Sequence, residues 1–211
     1  MDVTSPFWRY RIRFCKRGTA RFISHRDLMG VFARAFRRAD LPVRMSQGFN
    51  PRPRFSLPAP LALGIEGLNE VLELQLTQAL QPDELAKRLN GQLPAGIEVL
   101  RIGRPEDQAK ARVHSVRYRV LGDLPPGAVE RCTQAAELRM TRPDGRELDI
   151  RPYLRRVTAC DGGCDCEVLV TDKGSARPVE IKAALCGDDP DLPQRLSLVR
   201  TAVDLESPAS A

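Results

Sequence analysis

The residues best suited to chemistry lie in one stretch, Arg21–Phe55, reading RFISHRDLMGVFARAFRRADLPVRMSQGFNPRPRF. Its second half, SQGFNPRPR, mixes side chains that suit a nucleic acid. Gln47 and Asn50 carry amides able to read base edges. Phe49 can stack, and Arg52 and Arg54 can hold phosphates. RNA, whose bases splay and stack on aromatic rings, is the polyanion that fits this mixture. The competing reading is an elaborate turn with Phe49 tucked into a core.

Other chemistry is less well supplied. The chain has two histidines. His25 sits among arginines, where a neutral imidazole could take a proton from a ribose hydroxyl. The other reading of His25 is contact without chemistry. His114 has no convincing neighbours. Asp172–Arg177 precedes a helical pattern, so its amides with Lys173 and Arg177 could hold an anion, or simply turn the chain. Cys160, Cys164 and Cys166 form a C-x3-C-x-C cluster. That is one residue short of the C-x3-C-x2-C of radical-SAM enzymes, and it has no fourth zinc ligand nearby. Thiols in a turn are expected, with no metal and no cofactor. G-x-S-x-G, Walker A and dinucleotide glycine motifs are absent.

Charge singles out the same region. Residues 8–54 carry 13 Lys/Arg, 12 of them Arg, against Asp27 and Asp40, a local net of +11. Residues 55–211 carry 20 basic against 24 acidic residues, so the formal +6 of the whole chain is one local block. Arginine's planar fork suits phosphate better than an ammonium does. A block of this kind points to nucleic acid or another polyanion, or to a solvated basic face. No run reaches the ~20 apolar residues of a membrane span, and no apolar leader core is visible, so a cytoplasmic protein with reduced cysteines is expected.

Elements that would position these residues follow from periodicity. Trp8–Lys16 alternates, with Arg9, Arg11 and Arg13 on its polar side, as a half-exposed strand does. Ser24 and Asp27 form a near capping box for a helix ended by Asp40 and Pro42. Leu28, Val31, Phe32, Ala35, Phe36 and Ala39 make its core face, and Arg26, Arg34, Arg37 and Arg38 fall away from it. Arg54–Leu57 and Pro60–Leu63 are weak strand pieces. Strands Glu70–Gln75 and Ile97–Ile102 flank a helix Pro82–Leu89. A linker, Gly103–Ala111, leads to strand Ser115–Leu121, helix Pro125–Glu137, a hairpin about Pro143-Asp144-Gly145, a hairpin about Asp161–Cys166, helix Pro178–Cys186 and strand Leu196–Leu205. The expected class is α+β: two tandem ferredoxin-like (βαββαβ) halves, 8–103 and 112–206, with antiparallel sheets and helices on one face. Residues 1–7 and 207–211 read as tails.

The pattern R-F-x-S-H-x-D-L-x-x-x-F-x-R-A-x-R-R-A-x-L-P, then S-Q-G-F-N-P-x-P, then L-P-A-P-L-x-L-G-x-E, resembles a bacterial family of unknown function whose members are named radical-SAM-linked or radical-SAM-associated proteins. Weaker echoes are Asp149–Tyr153 and Gly174–Pro178. The resemblance implies a stand-alone accessory whose partner is a radical-SAM enzyme; the radical-SAM domain is not in this chain. The expected fold is also similar to tandem ferredoxin-like CRISPR-repeat endoribonucleases, some of which use a His near the first helix, although their glycine-rich C-terminal loop is missing.

Three functions follow as expectations. The first is an accessory protein binding RNA or another polyanion through segment 21–54. Its candidate residues are Arg21, His25, Arg26, Arg34, Arg37, Arg38, Gln47, Phe49, Asn50, Arg52 and Arg54, with Lys173 and Arg177. The second is a metal-independent endoribonuclease using His25. The third is a module that meets an acidic protein.

Overall fold

The computed structural model describes residues 6–105, 108–187, 189 and 191–206. The chain divides into two compact units, Met1–Arg112 and Val113–Ala211. The expected tails fall almost wholly outside the described residues.

The first unit runs β1 (Trp8–Lys16), a 3-10 turn (Gly18–Phe22), α1 (His25–Arg38), β2 (Phe55–Ser56), β3 (Glu66–Leu76), α2 (Pro82–Asn90) and β4 (Ile97–Gly103). Its strands lie in the order β4-β1-β3, with β2 on the far side of β3, and each of these pairings is antiparallel. Both helices cover one face. Leu28, Phe32, Ala35 and Phe36 of α1 and Leu85 and Leu89 of α2 share a core with Tyr10, Ile12, Phe14, Leu72, Leu74 and Val99. The ring of Phe32 meets Phe14 edge-on at 5.0 Å and stacks on Phe36 at 6.0 Å.

Three local expectations change here. β3 begins at Glu66, four residues before the alternation suggested. Pro60–Leu63 is loop rather than strand. β2 shrinks to two residues because Pro51, Pro53 and Pro58 supply no amide for a ladder.

The polar face of β1 is not simply solvated either. Arg9 and Arg11 both reach Glu73 at 3.4 Å, and Glu73 is 2% exposed. The Glu73 carboxylate also accepts from the Ala111 amide at 2.9 Å, and Gln108 accepts from the Arg9 amide at 2.9 Å. Residues expected to form a free linker therefore cover this ion pair. Burial of a charge demands such partners.

The second unit runs β5 (Val113–Leu121), α3 (Ala128–Gln134), β6 (Arg139–Thr141), β7 (Glu147–Asp149), a 3-10 turn (Arg151–Tyr153), β8 (Leu154–Cys160), β9 (Gly163–Leu169), α4 (Pro178–Cys186), α5 (Leu192–Arg195) and β10 (Ser197–Leu205). The order is β10-β5-β9-β8, again antiparallel, with β6 and β7 as a separate ribbon. The mixed α/β class with antiparallel sheets is as expected.

α3 is shorter than the sequence suggests. Gly127 enters it in the left-handed region (φ 74°), and Ala135 leaves it in an extended conformation. Arg151 then holds the helix end, donating to the carbonyls of Thr133 at 2.7 Å and Ala135 at 3.2 Å.

Candidate nucleic-acid interface

Ser24 starts α1 as expected. Its hydroxyl accepts from the Asp27 amide at 3.1 Å and donates to the Asp27 carboxylate at 2.6 Å. One orphan donor of the first turn is thereby met, and Asp27 complements the positive end of the dipole. With Leu28, Phe32, Ala35 and Phe36 fixed against the sheet, helical geometry turns Arg26, Arg34, Arg37 and Arg38 outward. All four are exposed. Arg26 and Arg37 lie about 16 Å apart along the axis on nearly the same face. Arg38 donates to the Gln92 carbonyl. Among the described residues, Arg26, Arg34 and Arg37 have no carboxylate partner.

The SQGFNP segment forms a closed hairpin. Its stem is anchored on β3: Arg44 donates its amide to the Gln75 carbonyl at 2.9 Å, Gln75 donates to Arg54 at 3.0 Å, and Arg54 to Arg44 at 2.7 Å. Met45 bridges Pro53. Above it the Ser46 amide donates to Arg52 at 2.8 Å, and the Arg52 amide donates to the Ser46 hydroxyl at 2.9 Å. Five residues remain at the tip, with Gly48 at φ 114°, where a side chain would be strained. Phe49 is 106% exposed, so it is not tucked into the core. Gln47, Asn50, Arg52 and Arg54 are exposed around it.

Arg44 belongs to this group and was not singled out by sequence. Its guanidinium donates to the Gln75 side chain at 3.1 Å and sits 4.4 Å over the Phe7 ring. Its place follows from the hairpin, in which the pairs 44/54, 45/53 and 46/52 are centred on Phe49.

Arg21 and His25 stand at the other end of β3. The Arg21 carbonyl accepts from Gly64 at 3.0 Å, and its guanidinium lies 3.8 Å from Glu66 and 4.8 Å over the Phe22 ring. Two separated pieces of the N-terminal pattern, Arg21-Phe22 and Gly64-x-Glu66, thus meet. Glu66 and Gln75 are about 30 Å apart along the strand. The candidates of this unit therefore form two ends bridged by the α1 arginines rather than one pocket. His25 is exposed, and among the described residues it has no hydrogen-bond partner to orient its ring.

Lys173 and Arg177 lie in the second unit, both exposed. There the start of α4 already holds a carboxylate: Glu180 accepts from the Arg177 amide at 2.8 Å and pairs with Arg142 at 2.8 Å. The hydrogen bond to Glu180 raises the Arg142 pKa further. The echo segments assemble beside it. Tyr153 donates to the Lys173 carbonyl at 3.5 Å, Ser175 to Leu169 at 2.8 Å, and Asp149 accepts from the amides of Leu138 and Arg151. These contacts give the two segments a packing role.

The cysteine cluster does not converge. In the β8–β9 register Ala159 faces Cys164 and Val157 faces Cys166, so these two thiols point into the core, 3.7 Å apart. Cys160 pairs with Gly163 and falls on the opposite side, near Arg119 and Asp165. The hydrogen bond with Cys164, followed by burial, pushes the Cys166 thiol well up. Among the described residues no group of three or more His, Cys, Asp or Glu could hold a metal ion.

Arginines meet carboxylates in both units, and in the first these are Arg9, Arg11, Arg17, Arg21 and Arg88. In the second, Arg117, Arg119, Arg139, Arg142, Arg146, Arg155 and Arg195 each meet a carboxylate. In segment 21–54 of the first unit the exposed Arg26, Arg34, Arg37, Arg38, Arg52 and Arg54 meet none among the described residues. No described helix is long and apolar enough to cross a membrane.

A search of curated proteins finds no match to the chain. A family model matches residues 9–180, most of both units and all of the basic segment. The chain belongs to the family described as an uncharacterized protein conserved in bacteria (DUF2344).

Proposed function

We propose that this protein binds RNA through segment 21–54 and serves as an accessory to a radical-SAM enzyme. One observation carries the RNA reading: among the described residues, six exposed arginines of this segment, Arg26, Arg34, Arg37, Arg38, Arg52 and Arg54, lack carboxylate partners, while the second unit pairs seven of its twelve. Unpaired guanidinium groups are ready to hold phosphate, bidentately and without first breaking an ion pair. Their spread, from Arg26 in the first turn of α1 to the hairpin on Gln75, suits an extended strand better than a compact anion. The radical-SAM partnership rests on the resemblance of the N-terminal pattern to radical-SAM-associated proteins.

We also read each unit as a ferredoxin-like half. The reading is supported by the order β4-β1-β3-β2 in the first and β10-β5-β9-β8 in the second. In the second the β6–β7 ribbon would be an insertion ahead of the second strand. His25 belongs to the binding surface in this account, with no catalytic step assigned to it.

The test is equilibrium binding of RNA across a range of salt. Counterion release from phosphate contacts makes log affinity fall linearly with log salt. Binding that is absent, or insensitive to salt, contradicts the RNA reading. For the partnership, co-purification of a radical-SAM enzyme from the native host is expected, and its absence from a crosslinked sample contradicts it.

A further inference from the structure

The hairpin 46–52 carries a more specific reading, which rests on the RNA function above. A phenylalanine at full exposure is unusual for a side chain that gains by leaving water. Here it is not on a loose loop. The Ser46–Arg52 hydrogen bonds close the tip, and the stem bonds of Arg44 and Arg54 tie it to β3. The ring is thus presented on a braced support, with Gly48 in the positive-φ region to turn the chain and Pro51 limiting its return. Around it are two amides, Gln47 and Asn50, and two arginines without carboxylate partners, Arg52 and Arg54.

We infer that this hairpin is a base-stacking finger: Phe49 stacks on an unpaired base, Gln47 and Asn50 meet base edges, and Arg52 and Arg54 hold the flanking phosphates. The ligand class is therefore single-stranded RNA or an RNA loop. A paired base inside an A-form helix offers its face only to its stacked neighbours, whereas a splayed base offers it to a ring. Charge complementarity selects the occupant. An exposed ring followed along the hairpin by two arginines that lack carboxylate partners among the described residues suits the alternation of base and phosphate along a strand.

The experiment compares a short single-stranded RNA with the blunt duplex of the same sequence. It uses the full chain, Phe49→Ala, Phe49→Trp and the double variant Arg34→Ala/Arg37→Ala. Phe49→Ala is expected to lower single-strand affinity about tenfold or more. It should leave duplex affinity, the salt slope and the unfolding midpoint unchanged. Phe49→Trp should retain affinity and show a change in indole emission when the single strand binds. The arginine double variant should instead flatten the salt slope for both RNAs. Unchanged single-strand affinity in Phe49→Ala, with salt-dependent binding intact, overturns the finger and spares the RNA reading. Equal losses on both RNAs overturn it too, as does a loss confined to nuclease-resistant capture of an acidic protein. No binding of either RNA by the full chain overturns both readings.

Discussion

Ser46 and Arg52 exchange two hydrogen bonds across the base of a five-residue tip. The Ser46 amide donates to the Arg52 carbonyl at 2.8 Å, and the Arg52 amide donates to the Ser46 hydroxyl at 2.9 Å. This exchange makes the SQGFNP segment a structured hairpin rather than an open loop. Ser46→Ala removes one of the two bonds at a half-buried site, so global stability should fall by only about 0.5–1.5 kcal/mol. Amide exchange at Gln47–Asn50 should quicken, while that of the β3 core stays slow. Unchanged exchange at the tip would mean the hydroxyl does not brace it.

Phe32 is the centre of the packing that holds α1 on the sheet. It is buried between the rings of Phe14 and Phe36. Phe32→Ala is expected to cost about 3–5 kcal/mol, measured by denaturant unfolding. The loss should lower RNA affinity only as far as it unfolds the protein. A loss below about 1 kcal/mol would contradict this placement of α1.

Cys132 supplies a pH dependence in the second unit. Burial pushes its thiol from an ordinary 9.0 up to about 11. The charged form is the one disfavoured on folding. Between pH 9 and about 11 the unfolded chain therefore loses a proton that the native protein keeps, and stability falls as pH rises. Below pH 9 both states keep the proton and the effect vanishes. Cys132→Ala should make the decline over this window shallower; an identical decline would exclude Cys132 as its source.

His25 separates binding from cleavage. His25 has no hydrogen-bond partner among the described residues, so His25→Ala is expected to weaken RNA binding by less than about tenfold. RNA incubated with the protein and a chelator should stay intact. Specific scission by the wild type that disappears in His25→Ala would restore the endoribonuclease reading.

The parts of the fold legible in sequence are those set by neighbours in the chain. Ser24 and Asp27 marked the start of α1, and the spacing of Leu28, Phe32, Ala35 and Phe36 fixed its buried face. The alternation in Trp8–Lys16 gave β1. What escaped was set across distance. Arg9 and Arg11 read as solvated because Glu73, Gln108 and Ala111 lie far along the chain. Cys160, Cys164 and Cys166 look clustered in sequence, yet the β8–β9 register sends them to opposite faces. The hairpin could be read as a loop but not as a braced one, since its closure depends on Ser46 meeting Arg52. Arg44 was missed for the same reason.

The central claim is that the unpaired arginines of α1 hold phosphate. The most direct test is the salt dependence of single-stranded RNA binding, comparing the wild type with Arg26→Ala/Arg34→Ala/Arg37→Ala. Each phosphate contact contributes roughly 0.7 to the slope of log affinity on log salt for a single strand, so the triple variant should lose about 2 from that slope. Its unfolding midpoint should not change. A triple variant that keeps the wild-type affinity and slope would contradict the account.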